Sequence, residues 1–228
     1  MNAKIFRLFI VLLISFWALE IDAKPQGVKG RGDSSLGLYL SADVFGYIYP
    51  VFVKDKYYSS EVSATLDINK RFFPTVEVGL GYADMVSQLY EIGYKTRAPY
   101  YRVGMDYNVL YKKGKPGYIY IGARVGYTSF DYSVEAPPLI DPVWGGEAPV
   151  QFVDMPCRAV WAEAVGGVRA EIAKNFYMGW SLRCKYMFYK GPILNGGPWY
   201  VPGFGAGKKT ALGATYTFCY YFNLFKKK

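Results

Sequence analysis

The residues best placed to do chemistry are charged side chains that recur at every second position of several segments. They stand among glycines and threonines, and opposite signs occur on neighbouring segments. The principal members are Glu77, Arg102, Asp106, Arg124, Glu163, Arg169 and Arg183, with Glu171 and Lys185 on the same faces. If these faces meet inside the protein, the charges must pair or hold water, because an unpaired buried charge is costly. The pattern predicts a paired network that closes the interior, with a polar channel or a proton-linked binding pocket as the alternative.

Other residue types give little indication of catalysis. The chain has 0 His, which removes the usual general base and a common metal ligand. Cys157, Cys184 and Cys219 are odd in number and scattered, which indicates neither a disulfide framework nor a metal site. The segment Gly203–Thr210 resembles a phosphate-binding loop but leads into a strand rather than a helix. We therefore predict a non-enzymatic protein with no catalytic residue, cofactor or metal ion.

The first residues predict export. Lys4 and Arg7 precede the apolar run Leu8–Leu19, and the small residue Ala23 follows. That order is typical of a secretory signal peptide, and the run is shorter than the roughly 20 residues of a membrane-spanning helix. An uncleaved N-terminal anchor is the alternative. We predict a signal peptide over 1–23, a flexible lead-in over 24–36, one barrel domain over 37–225 and a basic tail over 226–228.

From Gly37 onward, apolar and polar residues alternate. In the clearest case, Val62, Ala64, Leu66 and Ile68 alternate with polar residues, as in a strand with two unlike faces. Eight such segments are long enough to cross a membrane, which takes about 9–11 residues in a tilted strand. An aromatic content of 19% and 25 Gly residues also favour strands and tight turns. The sequence therefore predicts an all-β protein, an eight-stranded antiparallel up-and-down transmembrane β-barrel.

The connections between these segments alternate in length. Short turns at Asn69–Pro74, Tyr111–Gly117 and Ala173–Asn175 are separated by longer loops, the arrangement of outer-membrane barrels. The longest predicted loop, Ser129–Cys157, contains five acidic residues and Trp144. Exposed loops are where recognition usually occurs. Trp144 is therefore the candidate contact residue for a binding partner.

Alternation alone does not show which face is inside, and a lipocalin-like soluble carrier would turn the apolar face inward. Here the polar face is rich in glycine and poor in charge, and an exported chain has an outer membrane available. The apolar face also ends in aromatic residues, as expected of girdles at membrane interfaces. The predicted girdle residues are Phe72, Phe73, Tyr107, Phe176, Phe188, Phe218, Tyr220 and Phe222. These features favour the inverted arrangement of a membrane barrel.

With these features, the chain resembles the small eight-stranded outer-membrane barrels of the OmpA/OmpX-like class, and more particularly the uncharacterised small barrels of Bacteroidetes-type bacteria. The resemblance covers Gly37 to Phe225 and includes the aromatic C-terminal strand Thr215–Phe225. That strand resembles the signal read by the barrel-insertion machinery, although Lys226–Lys228 follow it. The resemblance implies a monomer in a Gram-negative outer membrane. The implied partners are outer-membrane lipids, lipopolysaccharide and, during biogenesis, the insertion machinery.

Three functions remain open at this point. The leading hypothesis is a structural or binding protein that acts through long extracellular loops; an outer-membrane enzyme and a small channel are the alternatives. The formal net charge is +9, and basic residues are concentrated in the short turns and the C-terminal tail. They are Lys70, Arg71, Lys112, Lys113, Lys115, Lys174, Lys226, Lys227 and Lys228. We interpret them as a belt that faces anionic lipid headgroups rather than as a nucleic-acid site.

Overall fold

The computed structural model describes residues 35–44, 46, 57–87, 91–111, 117–140, 145–193 and 197–226. Within them, no helix is long and apolar enough to cross a lipid bilayer. The predicted signal peptide, nearly all of the lead-in and Trp144 lie outside the described residues. The strands are β1 Ser35–Asp43, β2 Tyr57–Ile68, β3 Phe72–Val86, β4 Gly93–Asn108, β5 Tyr118–Ile140, β6 Glu147–Ala173, β7 Phe176–Gly191, β8 Tyr200–Val201, β9 Gly205–Ala206 and β10 Thr210–Lys226.

Eight of these strands form a closed barrel. Each barrel strand pairs antiparallel with its neighbours along the chain, and β10 pairs with β1 to close the ring. The short strands β8 and β9 form a separate two-stranded sheet in the connection between β7 and β10. The prediction of an eight-stranded antiparallel up-and-down barrel is confirmed.

The hairpin of β5 and β6 is longer than its neighbours on both sides. Glu135 of β5 lies opposite Gly93, the first residue of β4, and Arg158 of β6 lies opposite Gly191, the last residue of β7. Beyond these points β5 and β6 pair with each other, so most of the predicted loop Ser129–Cys157 is strand. The loop prediction was wrong there because irregularities in the register interrupt the alternation and acidic residues resemble those of a loop.

The outer face of the barrel is apolar. Leu182 and Leu212 are 70% and 84% exposed, whereas Thr65 and Glu77 on the other face are buried. Aromatic pairs border the apolar wall at both ends. At the end of the short turns, Phe72 packs on Tyr107 and Phe176 on Tyr220; at the end of the long loops, Tyr58 packs on Tyr82 and Tyr186 on Phe188. This orientation is the reverse of a lipocalin-like soluble carrier.

Phe73 is an exception to the predicted girdle. It is 2% exposed and stacks on Tyr118 inside the barrel, with ring centres 4.8 Å apart. Side chains of adjacent residues in a strand point to opposite faces, so Phe72 and Phe73 cannot both face outward. The girdle prediction was therefore wrong for Phe73.

The interior is packed rather than hollow. Near the turns, an aromatic cluster contains Tyr39, Phe73, Tyr118, Tyr120, Val165 and Cys219. Near the loops, a larger cluster includes Tyr94, Tyr100, Tyr132, Trp161, Val201 and Phe204. Six of the seven predicted inward charges lie between the two clusters, and Arg169 lies within the aromatic cluster near the turns. An eight-stranded barrel is just wide enough for its inward side chains to fill the bore, and these clusters fill both ends.

Candidate functional site

The pairing register brings oppositely charged residues on neighbouring strands side by side. Glu77 of β3 lies directly opposite Arg102 of β4, and Arg124 of β5 lies opposite Glu163 of β6. Because the side chains of a strand alternate between its two faces, these residues all point into the bore. The structure places all seven predicted charges inside, since none of them is more than 5% exposed.

Glu77 lies at the centre of the resulting charge network. Its carboxylate is 3.0 Å from Arg102, 2.9 Å from Arg124 and 2.8 Å from Arg183. Glu61 of β2 contacts Arg102 and lies 2.9 Å from Arg183. The network therefore joins β2, β3, β4, β5 and β7 across the bore.

Two more carboxylates complete the network. Arg124 pairs with Asp106 at 2.9 Å, and Arg102 pairs with Glu163 at 2.8 Å. Glu163 also accepts a 2.7 Å hydrogen bond from the indole of Trp161. Three arginines thus pair with the four acids Glu61, Glu77, Asp106 and Glu163. This pairing allows the charges to be buried together, which unpaired ions could not be.

Arg169 lies apart from this network. Its guanidinium is 4.9 Å from the ring centre of Tyr39 and 5.6 Å from that of Tyr118, and it donates a 2.7 Å hydrogen bond to the Tyr118 hydroxyl. Desolvated cation–π contacts of this kind stabilise a buried guanidinium. Arg169 therefore belongs to the aromatic cluster near the turns.

The predicted set did not include Glu61, although it bridges two arginines. It has the same alternation phase as Ser63 and Thr65, which also face inward, and that phase was the available signal.

Glu171 and Lys185, the two further charges predicted on the polar faces, both bind backbone groups. Lys185 donates hydrogen bonds to the backbone carbonyls of Gly203 and Phe204. Glu171 accepts a hydrogen bond from the backbone of Asn175 at a short turn.

Residues 199–207, which contain β8 and β9, form a plug hairpin that enters the bore from the loop end. Val201 and Phe204 at its tip are 0% and 1% exposed. The Gly203 carbonyl accepts hydrogen bonds of 2.7 Å from both Arg102 and Lys185. The Tyr200 carbonyl accepts one of 2.7 Å from the Tyr94 hydroxyl. The plug hairpin is thus joined to both the charge network and the barrel wall.

The glycines of this segment serve the plug hairpin. Gly203 has φ +78°, and a Cβ atom there would lie 2.5 Å from the ring of Tyr100. Only glycine adopts such a backbone conformation readily while also allowing so close an approach. The conformation of the plug hairpin at Gly203 therefore explains the resemblance of Gly203–Thr210 to a phosphate loop. In the same hairpin, burial raises the pKa of the Tyr200 phenol to about 12, so that side chain stays neutral.

A cavity of about 260 Å³ remains beside the plug hairpin. Its lining includes Glu61, Arg102, Arg183 and Lys185. Among the described residues, no group of three or more potential ligands is arranged to hold a metal ion. The charged groups around the cavity chiefly bind one another and the backbone of the plug hairpin.

The closed ring, the apolar outer wall and the filled polar bore define the class of transmembrane β-barrels. Within that class, the chain belongs to the DUF6048 family, whose model matches residues 3–227 and is described as a domain of unknown function. No curated protein matches the chain.

Several solved outer-membrane proteins are remotely similar to the chain. A major outer membrane protein from Thermus thermophilus is 11% identical with a TM-score of 0.44, over 83% of this chain and 99% of that one. Neisserial surface protein A is 12% identical with a TM-score of 0.40, over 85% and 100%. The N-terminal β-barrel domain of Pseudomonas aeruginosa OprF is 13% identical with a TM-score of 0.38, over 84% and 100%. Similarities this remote carry no argument about ligands or activity, and none supports the narrower likeness to Bacteroidetes-type barrels.

Proposed function

We propose that the chain is an integral protein of a Gram-negative outer membrane that acts without catalysis, as a structural or binding protein. The observation that supports this most strongly is the apolar wall between two aromatic girdles around a filled bore. Such a wall is stable in a bilayer, where the backbone must satisfy its own hydrogen bonds in a closed barrel. The chain's predicted export signal agrees with this location.

The binding surface in this proposal is the loop end. The β5–β6 hairpin extends beyond β4 and β7 and presents the exposed acid Asp154, while the exposed acids Asp131 and Glu135 lie where β5 still runs beside the end of β4. A paired hairpin holds such side chains more rigidly than a free loop does. Trp144 belongs to the connection between β5 and β6 and remains the proposed contact residue.

The filled bore favours this function over a small channel or an enzyme. The charge network and the plug hairpin occupy the path that ions would follow, and the buried acids are paired with arginines. An enzyme would need an acid, a base or a nucleophile that is free to meet a substrate. The proposed monomer would contact outer-membrane lipids and lipopolysaccharide around its wall, and the insertion machinery during biogenesis.

Fractionation tests the proposed location. The full chain is expressed in a Gram-negative host, and the membranes are separated by density. We expect it in the outer-membrane fraction, with an electrophoretic mobility that changes on heating because the folded barrel resists detergent. Recovery as a soluble periplasmic protein would contradict the proposal.

Whole-cell adhesion assays test the binding role. One variant combines Asp131→Asn, Glu135→Gln and Asp154→Asn, and Lys70→Gln at the turn end is the control. Equal adhesion of both variants would contradict the binding role.

A further inference from the structure

The outer wall has a groove that is distinct from the projecting part of the β5–β6 hairpin, which is the proposed binding surface. This outer groove has a volume of about 790 Å³ and lies on β6, β7 and the start of β10. Its lining includes Ala162, Ala164, Cys184, Tyr186, Lys208 and Leu212. The volume falls within the range of about 300–1,000 Å³ that is usual for small-molecule sites.

Differences in side-chain size explain the groove. Ala164, Cys184 and Leu212 follow one another across three strands, because Ala164 lies opposite Cys184 and Cys184 lies opposite Leu212. Ala164 and Cys184 are small, whereas Leu212 and neighbouring Leu182 project with exposures of 84% and 70%. The result is a depression with apolar walls on the side that would face lipid. Lipid tails are as apolar as these walls, so it is the shape of the depression that suits a hydrocarbon chain.

The groove lies beside the aromatic girdle at the loop end of the wall. Tyr186, which lines it, packs against Phe188 in the aromatic girdle near the loops, with ring centres 5.4 Å apart. The floor at Ala164 and Cys184 lies on the turn side of that girdle, on the outer-leaflet half of the barrel. An occupant of the groove would therefore be embedded in the outer leaflet.

A positive rim lies at the loop end of the groove. Lys208 is exposed and lines the groove, and Lys209 is exposed beside it. The Lys209 carbonyl accepts a hydrogen bond from the backbone N–H of Met187, which fixes both lysines at the level of the girdle. Aromatic girdles mark the height of the headgroups, where lipid phosphates lie. An apolar groove beneath a cationic rim complements an anionic lipid.

We propose that the outer groove binds one acyl chain of a phosphorylated glycolipid, the lipid anchor of lipopolysaccharide, with its phosphate at Lys208. This inference rests on the proposed outer-membrane location and names a specific lipid site on the barrel. Lys208 supplies the charge, and Ala164 and Cys184 leave space for the chain. The occupant is a lipid rather than a second barrel because the positive rim would meet its own like charge in a symmetric contact.

Native mass spectrometry of the full mature chain in detergent tests this site. The probes are lipid A, the same lipid A with its phosphates removed, and phosphatidylglycerol. We expect one lipid A adduct per barrel, with weaker binding of the other two. Ala164→Phe fills the groove and should reduce lipid A binding at least tenfold. The matched control Ala64→Phe places the same ring on the outer face of β2, away from the groove, and should bind as the wild type does.

The rim has its own pair of variants. Lys208→Gln should weaken lipid A binding about fivefold, which corresponds to one basic residue near an anionic surface, and should leave binding of dephosphorylated lipid A unchanged. Lys95→Gln, at an exposed position of β4 outside the groove, should have no effect. Heat-dependent mobility verifies that each variant is folded.

Several results would overturn the inference: equal binding by the Ala164 and Ala64 variants, no loss with Lys208→Gln, tighter binding of phosphatidylglycerol than of lipid A, or a dimer in place of a lipid adduct. These results are distinct from failure of the proposed function. A barrel that fractionates with the outer membrane but lacks the adduct would refute the site alone, whereas a soluble periplasmic protein would refute both proposals.

Discussion

Arg102 on β4 and Gly203 in the plug hairpin are joined by a hydrogen bond of 2.7 Å from the guanidinium to the backbone carbonyl. The same guanidinium pairs with Glu77 and Glu163. A single side chain thus links the segment between β7 and β10 to the charged centre of the bore. Both structures fill the bore: the plug hairpin occupies its loop end, and the charge network occupies its middle.

Glu77→Gln tests the charge network. The substitution removes the carboxylate that faces Arg102, Arg124 and Arg183, so three buried guanidinium groups lose a shared partner. We expect the free energy of unfolding to fall by about 3–5 kcal/mol, as when one member of a buried ion pair is removed. Urea unfolding in lipid vesicles measures it. Glu135→Gln, at an exposed position, is the control and should change stability by less than about 0.5 kcal/mol.

Val78→Arg tests the orientation of the wall. Val78 is 41% exposed on the outer face of β3, so an arginine there would enter the hydrocarbon region. We expect a cost of about 2–4 kcal/mol if the position lies near the bilayer midplane. The matched control is Val153→Arg on the projecting β5–β6 hairpin, where the side chain is 60% exposed and would remain in water. Equal costs in vesicle unfolding would be incompatible with the membrane orientation.

The strand pattern made much of this structure predictable. Alternation with a period of two is a local property, so it assigned Glu77, Arg102 and Arg124 to the interior without any knowledge of their partners. The same alternation indicates that Phe73 faces inward, because Val76 and Val78 face outward and Phe73 lies an odd number of residues from each of them. The boundary of the β5–β6 hairpin was not recoverable in this way, because its irregularities shift the phase.

The partners across the bore could not be predicted from the sequence. Arg183 and Glu61 are separated by 122 residues and meet only because the ring closes. The plug hairpin depends on similar long-range contacts, such as the bond between Tyr94 and Tyr200 across 106 residues. The close contact between Gly79 and Tyr100 could not be predicted from the sequence either. The alternation pattern predicts that Ser would be tolerated at position 79, but a Cβ atom there would lie 2.2 Å from the Tyr100 ring.

Gly203→Val tests the seating of the plug hairpin. The branched side chain meets both an unfavourable φ of +78° and the Tyr100 ring, so the tip should leave its position. Chymotrypsin cleavage after Tyr200 or Phe204 measures this, because both residues are buried in the folded protein. We expect the wild type to resist cleavage and the variant to be cut. Gly146→Val, where nothing lies within 4 Å of the added Cβ, should behave as the wild type does.

Conductance in planar bilayers tests the closed bore. We expect no steady ion current from the wild type, because paired charges and the plug hairpin fill the lumen. Stable single-channel steps that disappear with Arg102→Ala or Arg124→Ala would contradict closure and would favour the channel function instead.

Arg71, in the short turn between β2 and β3, lies against three aromatic rings. Its guanidinium lies 4.9 Å from the ring centres of Phe72 and Tyr111 and 5.6 Å from that of Tyr107, at the turn-end girdle. Among the described residues, no carboxylate forms an ion pair with it. We expect these ring contacts to hold the guanidinium at headgroup height, with its N–H groups directed to lipid phosphate.

We therefore expect Arg71→Gln to reduce the benefit of anionic phospholipid for folding into liposomes. One basic residue near an anionic surface contributes about 1 kcal/mol, so the advantage of anionic over neutral liposomes in folding yield should fall about fivefold. Lys95→Gln, exposed on β4 near the loop end, is the control and should keep that advantage. High salt should diminish the wild-type advantage, since screening shortens the range of the attraction. The same lipid dependence in wild type and Arg71→Gln would show that the cation at this girdle has no role in lipid binding.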